Sequence, residues 1–175
     1  MRSLLFVVLG LVLGSLAVAE PLSPDQRSAV EAKLAVVKTW GSAPEVVEAV
    51  KAAPPAWAAT MDQAQWTALS ILSPEVKELS KNALAVWLRG KKEAAVSEAF
   101  VSRSDGTKVA FLGKPTSWSH KGKPKHDIPM TGKTWIGEIE TDESTGLKQV
   151  QVSFPVLDGG KVIGSLVVGL QLSKL

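Results

Sequence analysis

Two adjacent segments near the C-terminus limit the fold more than anything else in the chain. In residues 147–156, Val150, Val152 and Phe154 alternate with Gln149, Gln151 and Ser153. A period of two with one apolar set predicts a strand with one buried face and one polar face. Asp158-Gly159-Gly160 then makes a tight turn, and residues 161–172 are nearly all apolar, as expected of a strand at the centre of a sheet. Upstream, residues 135–142 predict a further strand, with Asp142-Glu143-Ser144-Thr145-Gly146 as the turn that joins it to the alternating one. Residues 96–102 and 108–112 predict a hairpin about Ser104-Asp105-Gly106-Thr107, where Gly106 supplies the positive φ that the turn needs. The second half of the chain therefore reads as a five-stranded antiparallel sheet over residues 96–175, with three residues after its last strand.

The first half reads differently. Met1-Arg2-Ser3 is a short positive start, residues 4–16 are apolar, and Ala17-Val18-Ala19 precedes polar Glu20-Pro21. This is the pattern of a secretory signal peptide over residues 1–19. The apolar run is short for an anchor helix, which needs roughly 20 residues. Cleavage after Ala19 leaves a mature chain from Glu20 that does not span a membrane and is exported.

Residues 20–95 predict a helical layer belonging to the same domain. Ser23-Pro24-Asp25 combines a capping serine, a first-turn proline and an acid, and Val30, Leu34 and Val37 follow at helical spacing. Ser42 to Pro44 start a second helix, with Val46, Val47 and Val50 on its apolar face. A third is predicted over 61–72, and a fourth over 75–92 with Val76, Leu79, Ala83, Val86 and Trp87 on one stripe. Trp40, Trp57, Trp66 and Trp87 read as core packing, because tryptophans supply much of the area a core buries.

Composition excludes several classes of function. There is no cysteine, hence no disulfide framework, thiol nucleophile or thiolate metal site. The formal net charge is only +3, part of it from Arg2 in the leader, too little to recruit nucleic acid. Gly132-Lys133-Thr134 echoes a phosphate loop, but Asp127 stands where its first glycine belongs. No Gly-x-Ser-x-Gly elbow occurs. Glu138 and Glu140 share a strand face and read as exposed. His120, His126 and Asp127 fall short of the four ligands a structural zinc takes, so no metal or other cofactor is assigned. The chain does not read as an enzyme.

Between the hairpin and residue 135 lies a stretch rich in Gly, Pro, Lys and His, residues 113–133, with no clear period. Irregular stretches of this length inside a compact domain are commonly functional. Its charges, Lys121, Lys123 and Lys125 with His120 and His126, either face solvent or suit an anion through charge-assisted hydrogen bonds.

The succession of motifs has a relative. Ser104-Asp105-Gly106, Lys114-Pro115-Thr116-Ser117-Trp118, Trp135-Ile136-Gly137-Glu138-Ile139, Asp142-Glu143-Ser144-Thr145-Gly146, Val150-Gln151-Val152-Ser153-Phe154-Pro155-Val156-Leu157-Asp158 and the strand from Ile163-Gly164 to Gly169 follow one another in the order and spacing of the single Cache (PAS-like, PDC-type) extracellular sensor domains. Residues 96–175 resemble that family most specifically, and the helical half fits in outline. The resemblance implies an α+β fold, with N-terminal helices packed on a PAS-like five-stranded antiparallel sheet. It also implies a small-molecule pocket between the sheet and the segment that crosses it. Where the family carries an acidic pair, this chain reads Gly122-Lys123-Pro124, which favours a carboxylate or other anion over a cationic ligand.

The candidate ligand-binding residues are Trp118, His120, His126, Trp135, Asp142, Glu143 and Ser144. Trp118 and Trp135 would wall the pocket. Asp142, Glu143 and Ser144 serve equally well as turn formers. The expected function is an exported sensor-type domain, periplasmic in a bacterium, that binds a small metabolite and acts with a membrane receptor or histidine kinase. Such domains often dimerise through the N-terminal helix, for which Val30, Leu34 and Val37 offer a face; packing on the protein's own sheet is the simpler use. The alternative is a cell-envelope interaction module whose pocket is filled by side chains.

Overall fold

The computed structural model describes residues 20–141 and 146–175. The turn residues Asp142, Glu143 and Ser144 and the predicted leader lie outside them.

Helices come first. α1 (Pro24–Val37) opens on a capping box, in which Ser23 Oγ accepts from the Gln26 amide while the Gln26 side chain accepts from the Ser23 amide. After a 3₁₀ turn, α2 (Pro44–Lys51) follows with Val46, Val47 and Val50 inside. Then come α3 (Gln63–Ala68), α4 (Pro74–Lys81) and α5 (Ala83–Lys91). The sheet is β1 (Val96–Arg103), β2 (Lys108–Phe111), β3 (Trp135–Thr141), β4 (Lys148–Asp158) and β5 (Lys161–Gln171), in the order β2-β1-β5-β4-β3, every pair antiparallel. The apolar strand is central, as its composition requires. Gly106 has φ +84°, and Gly159 and Gly160 have φ +56° and +88°, so both hairpins turn where glycine permits.

One sheet face carries the main core. Val101, Val152, Phe154, Leu166 and Val168 meet Val30, Val37, Val46, Val50, Leu84 and Leu88 from the helices. The apolar side of α1, with Leu34 packed against the same cluster, is thus spent inside the molecule. Trp40 meets Trp87 edge-on at 6.1 Å. Gly41 is needed for the fit, because a Cβ there would collide with the carbonyl oxygen of Pro155 on β4.

Four sequence expectations need correction. The predicted helix over 75–92 is broken at Asn82, whose extended backbone ends α4. Its Oδ1 then caps α5 through the Ala85 amide at 2.9 Å, and its Nδ2 donates to Val109 O at 2.9 Å. The break resets the helical phase. Leu84, Ala85 and Leu88 turn inward, and Val86, expected on the apolar stripe, is exposed. The helix predicted over 61–72 runs only from Gln63 to Ala68, where the extended backbone of Leu69 ends it.

The third correction concerns residues 113–133, which hold a helix, α6 (Pro124–Met130). Pro124 at its start and Asp127 in its first turn are helix-opening signals, but seven residues are too few to show a period. The fourth is β4, which is not half-exposed. Gln149, Gln151 and Ser153 are as buried as the valines between them. Among the described residues, no helix is long and apolar enough to cross a membrane.

Candidate functional site

The second face of the sheet, under residues 113–133, is built from β-register rows. One row runs Phe111, Phe100, Val167, Ser153 and Trp135 across all five strands. Beside it stand Lys108, Ser102 and Ser165, and on the other side Glu98, Gly169 and Gln151. The face thus has an apolar end at β2 and β1 and a polar middle on β5 and β4.

The apolar end is closed by α3 and the residues that follow β2. Trp66, fully buried, meets Phe111 at 5.9 Å and Trp118 at 5.1 Å, and Trp57 meets Trp118 at 5.5 Å. Trp66 Nε1 donates to Pro115 O at 2.8 Å, Gln63 Nε2 to Thr116 O at 2.9 Å, and the Trp118 amide to Gln63 Oε1 at 3.0 Å. Trp118 is therefore held as a member of a second core cluster. Trp135 lies at the opposite end of the row, its ring over Gly137, where a Cβ would sit 2.7 Å from Cη2.

Beyond Trp118, the segment is tied to the tip of the β1–β2 hairpin. The His120 amide donates to Gly106 O at 3.0 Å, and Thr107 and Ser119 form a bridge. His120 is buried against Phe100, with ring centroids 4.9 Å apart. Lys108, buried beside it, places its amine 2.8 Å from His120 Nδ1, 3.2 Å from Ser102 Oγ and 3.3 Å from Gly106 O. The lysine donates, so the imidazole accepts at Nδ1 and carries its proton on Nε2. Burial, then the charge of Lys108, pushes the His120 pKa down to about 2. Burial, with the charges of Lys125 and Lys123, lowers that of Lys108 well below the ordinary lysine value.

α6 covers the polar middle. His126 is buried, with Nδ1 2.7 Å from Ser165 Oγ and Nε2 3.3 Å from Ser104 O. The carbonyl can only accept, so Nε2 donates and Nδ1 accepts from the serine. Burial lowers the His126 pKa as well. Lys125 Nζ donates to Gln151 Oε1 at 2.6 Å, and Lys123 Nζ to Ser117 Oγ at 2.8 Å. Gln149 and Gln151 donate to Glu98 Oε1 at 2.8 and 2.6 Å, Gln149 also to Glu140 Oε1 at 3.1 Å, and Ser97 hydroxyl donates to Gln149. Ser153 Oγ, fully buried, has no hydrogen-bond partner among the described residues.

Of the sequence candidates, the fold brings His120 and His126 together beneath one cover, with Trp118 and Trp135 at the two ends of the row. Lys108, Ser153 and Ser165 were missed. An isolated serine in an apolar strand and a lysine opening a short one carry little signal alone. Among the described residues, no group of three His, Asp or Glu side chains is arranged to hold a metal ion.

No protein-family model matches the chain, and no curated protein matches it significantly in sequence. Solved structures do match the fold. The sensor domain of the Vibrio cholerae histidine kinase DctB superposes with TM-score 0.50 at 15% identity over 85% of this chain, which spans 52% of that domain. The Escherichia coli DcuS sensor domain superposes with TM-score 0.50 at 16% identity over 86% of this chain and 94% of its own. The architecture, helices on a five-stranded antiparallel sheet in the order 2-1-5-4-3, is that of the PDC or Cache sensor domains.

Proposed function

We propose that this domain binds a small anionic metabolite, a carboxylate in the first place, on the polar sheet face beneath residues 113–133. In this reading it is exported, works in a bacterial periplasm, and passes its ligand state to a membrane receptor or histidine kinase. The fold shared with the DctB and DcuS sensor domains supports the sensor reading.

The observation that carries the ligand class is electrostatic. Lys108, Lys123 and Lys125 stand close enough for the charges of the latter two to lower the proton affinity of Lys108, and His120 feels all three. Glu140 and Glu98 act on Lys125, while among the described residues no carboxylate is ion-paired with Lys108 or Lys123. An anion placed among them would relieve that repulsion and accept charge-assisted hydrogen bonds. The unpartnered Ser153 hydroxyl on the same face is a further donor. His120, His126, Trp118 and Trp135 would then act as walls and orienting groups.

The test is a thermal-shift and calorimetric screen of the purified protein against small carboxylates, phosphate and sulfate, with amines as controls. A ligand at about 100 times its dissociation constant adds about 2.7 kcal/mol of stability. Lys123→Gln and Lys125→Gln should weaken binding of the responding anion by about tenfold each. A response to amines alone would sink the reading.

One observation favours a second reading. Trp118, His120 and His126 are buried on this face and bonded or stacked within it. An interaction module with a filled pocket would look the same, and it would give a flat screen.

A further inference from the structure

The helical side of the molecule carries a cleft of its own, at the β2 edge. It holds about 260 Å³ and is partly open to solvent, just below the range for pockets of drug-sized ligands, roughly 300–1,000 Å³, and so suits a smaller molecule. Four alanines, Ala49, Ala52, Ala53 and Ala83, leave the space open, with Leu79 and Val109 at its apolar base.

Three polar side chains reach this cleft, and two are committed elsewhere. Asn82 uses its oxygen on the Ala85 amide and its nitrogen on Val109 O. Glu78 accepts from Trp57 Nε1 at 2.8 Å. Arg103, at the end of β1, is different. It points away from the face that Ser102 shares with Lys108, and its Nη1 donates to Val50 O at 2.9 Å, at the C-terminal end of α2. Its Nε is buried without a partner, and among the described residues no carboxylate is ion-paired with it. Asp105, whose charge it feels, spends Oδ1 on Thr107. The cleft thus joins an apolar floor to one guanidinium with unspent donors, a group suited to a carboxylate.

We propose that this cleft is a ligand site separate from the sheet face under α6, taking a small monocarboxylate with its carboxylate on Arg103 and its apolar body over the alanines. Glu78, anionic at the same cleft, disfavours a ligand with a second negative charge. The proposal is independent of what binds beneath residues 113–133.

Isothermal calorimetry of the purified protein with 3-phenylpropionate tests it, with 3-phenylpropionamide and phenylsuccinate as the uncharged and doubly charged controls. The expected result is millimolar or tighter binding of the monoacid, with both controls weaker by about tenfold or more. Arg103→Gln should lose at least about tenfold in affinity, and Arg27→Gln, exposed on α1 and outside both sites, should leave it unchanged. Ala52→Leu fills the cleft from an exposed position without touching the Arg103–Val50 bond, and should abolish binding even if the arginine variant folds poorly. Absence of heat with the wild-type protein, or binding unchanged in Arg103→Gln or in Ala52→Leu, would overturn the proposal.

Discussion

Lys108 Nζ lies 2.8 Å from His120 Nδ1, with both side chains buried between the β1–β2 hairpin and the segment that crosses the sheet. A cationic imidazole cannot accept that bond and would repel the lysine, so folding and protonation of His120 oppose each other.

Stability should therefore depend on pH in a definite direction. A histidine whose folded pKa, about 2, lies below its unfolded value near 6.5 binds its proton in the unfolded chain first as pH falls. Stability is lost from about pH 6.5 downward, with a limiting slope of about 1.4 kcal/mol per pH unit for one histidine. His126, also lowered, adds in the same sense. Denaturant titrations between neutral and mildly acidic pH should show this decline, and His120→Gln should flatten it. An equally steep decline in the variant would remove His120 as its source.

Trp66 is the largest fully buried side chain, packed on Phe111 and Trp118 and bonded through Nε1 to Pro115 O. Trp66→Ala should cost about 3–5 kcal/mol in equilibrium unfolding. Trp66→Phe should cost less, since it keeps a ring and loses chiefly the hydrogen bond and some area. Equal losses would argue that the indole nitrogen, not the packing, dominates.

Asn82 both caps α5 and holds it to β2. Asn82→Ala should cost about 1–2 kcal/mol, and Asn82→Asp should recover part of that, because aspartate caps but cannot donate to Val109. Chemical denaturation reads both, and an aspartate variant no better than alanine would mean that the bond to the strand carries the effect.

Gly41→Ala should destabilise by about 1–3 kcal/mol although it adds one methyl group, because the colliding atom is a backbone oxygen of a central strand and cannot swing aside. Gly90→Ala, where a Cβ meets nothing within 4 Å in a helix, should instead be neutral or stabilising. The paired melting temperatures make the comparison.

Much of the sheet was legible because strand alternation and glycine turns are local signals, and β1 to β5 fall within a few residues of where the pattern puts them. The double burial of β4 was not. Gln149, Gln151 and Ser153 give the same alternation whether their face meets water or a polar cover, and the cover comes from a helix far away in sequence. The break at Asn82 was hidden for the opposite reason. Its local sequence continues an apolar stripe, and although asparagine can cap a helix, its bond to β2 is what adds to the cap at this position. For the candidate site, His120, His126 and the lysines were marked by their concentration in one segment. Lys108 was not, because it is brought to them by the hairpin.

The two sheet faces are sealed by different means. The helical face is closed by interdigitated valines and leucines, whose separation exposes apolar area to water throughout. On the second face the tryptophan cluster seals one end, but α6 is joined to the polar middle by hydrogen bonds of His126 and Lys125, each of which water can replace at small net cost. Amide protons of α6 should therefore exchange through a local opening well below the global unfolding free energy, while those of β5 wait for the whole domain. On this expectation the side that carries the lysines opens first, and the valine-lined side stays shut until the domain unfolds.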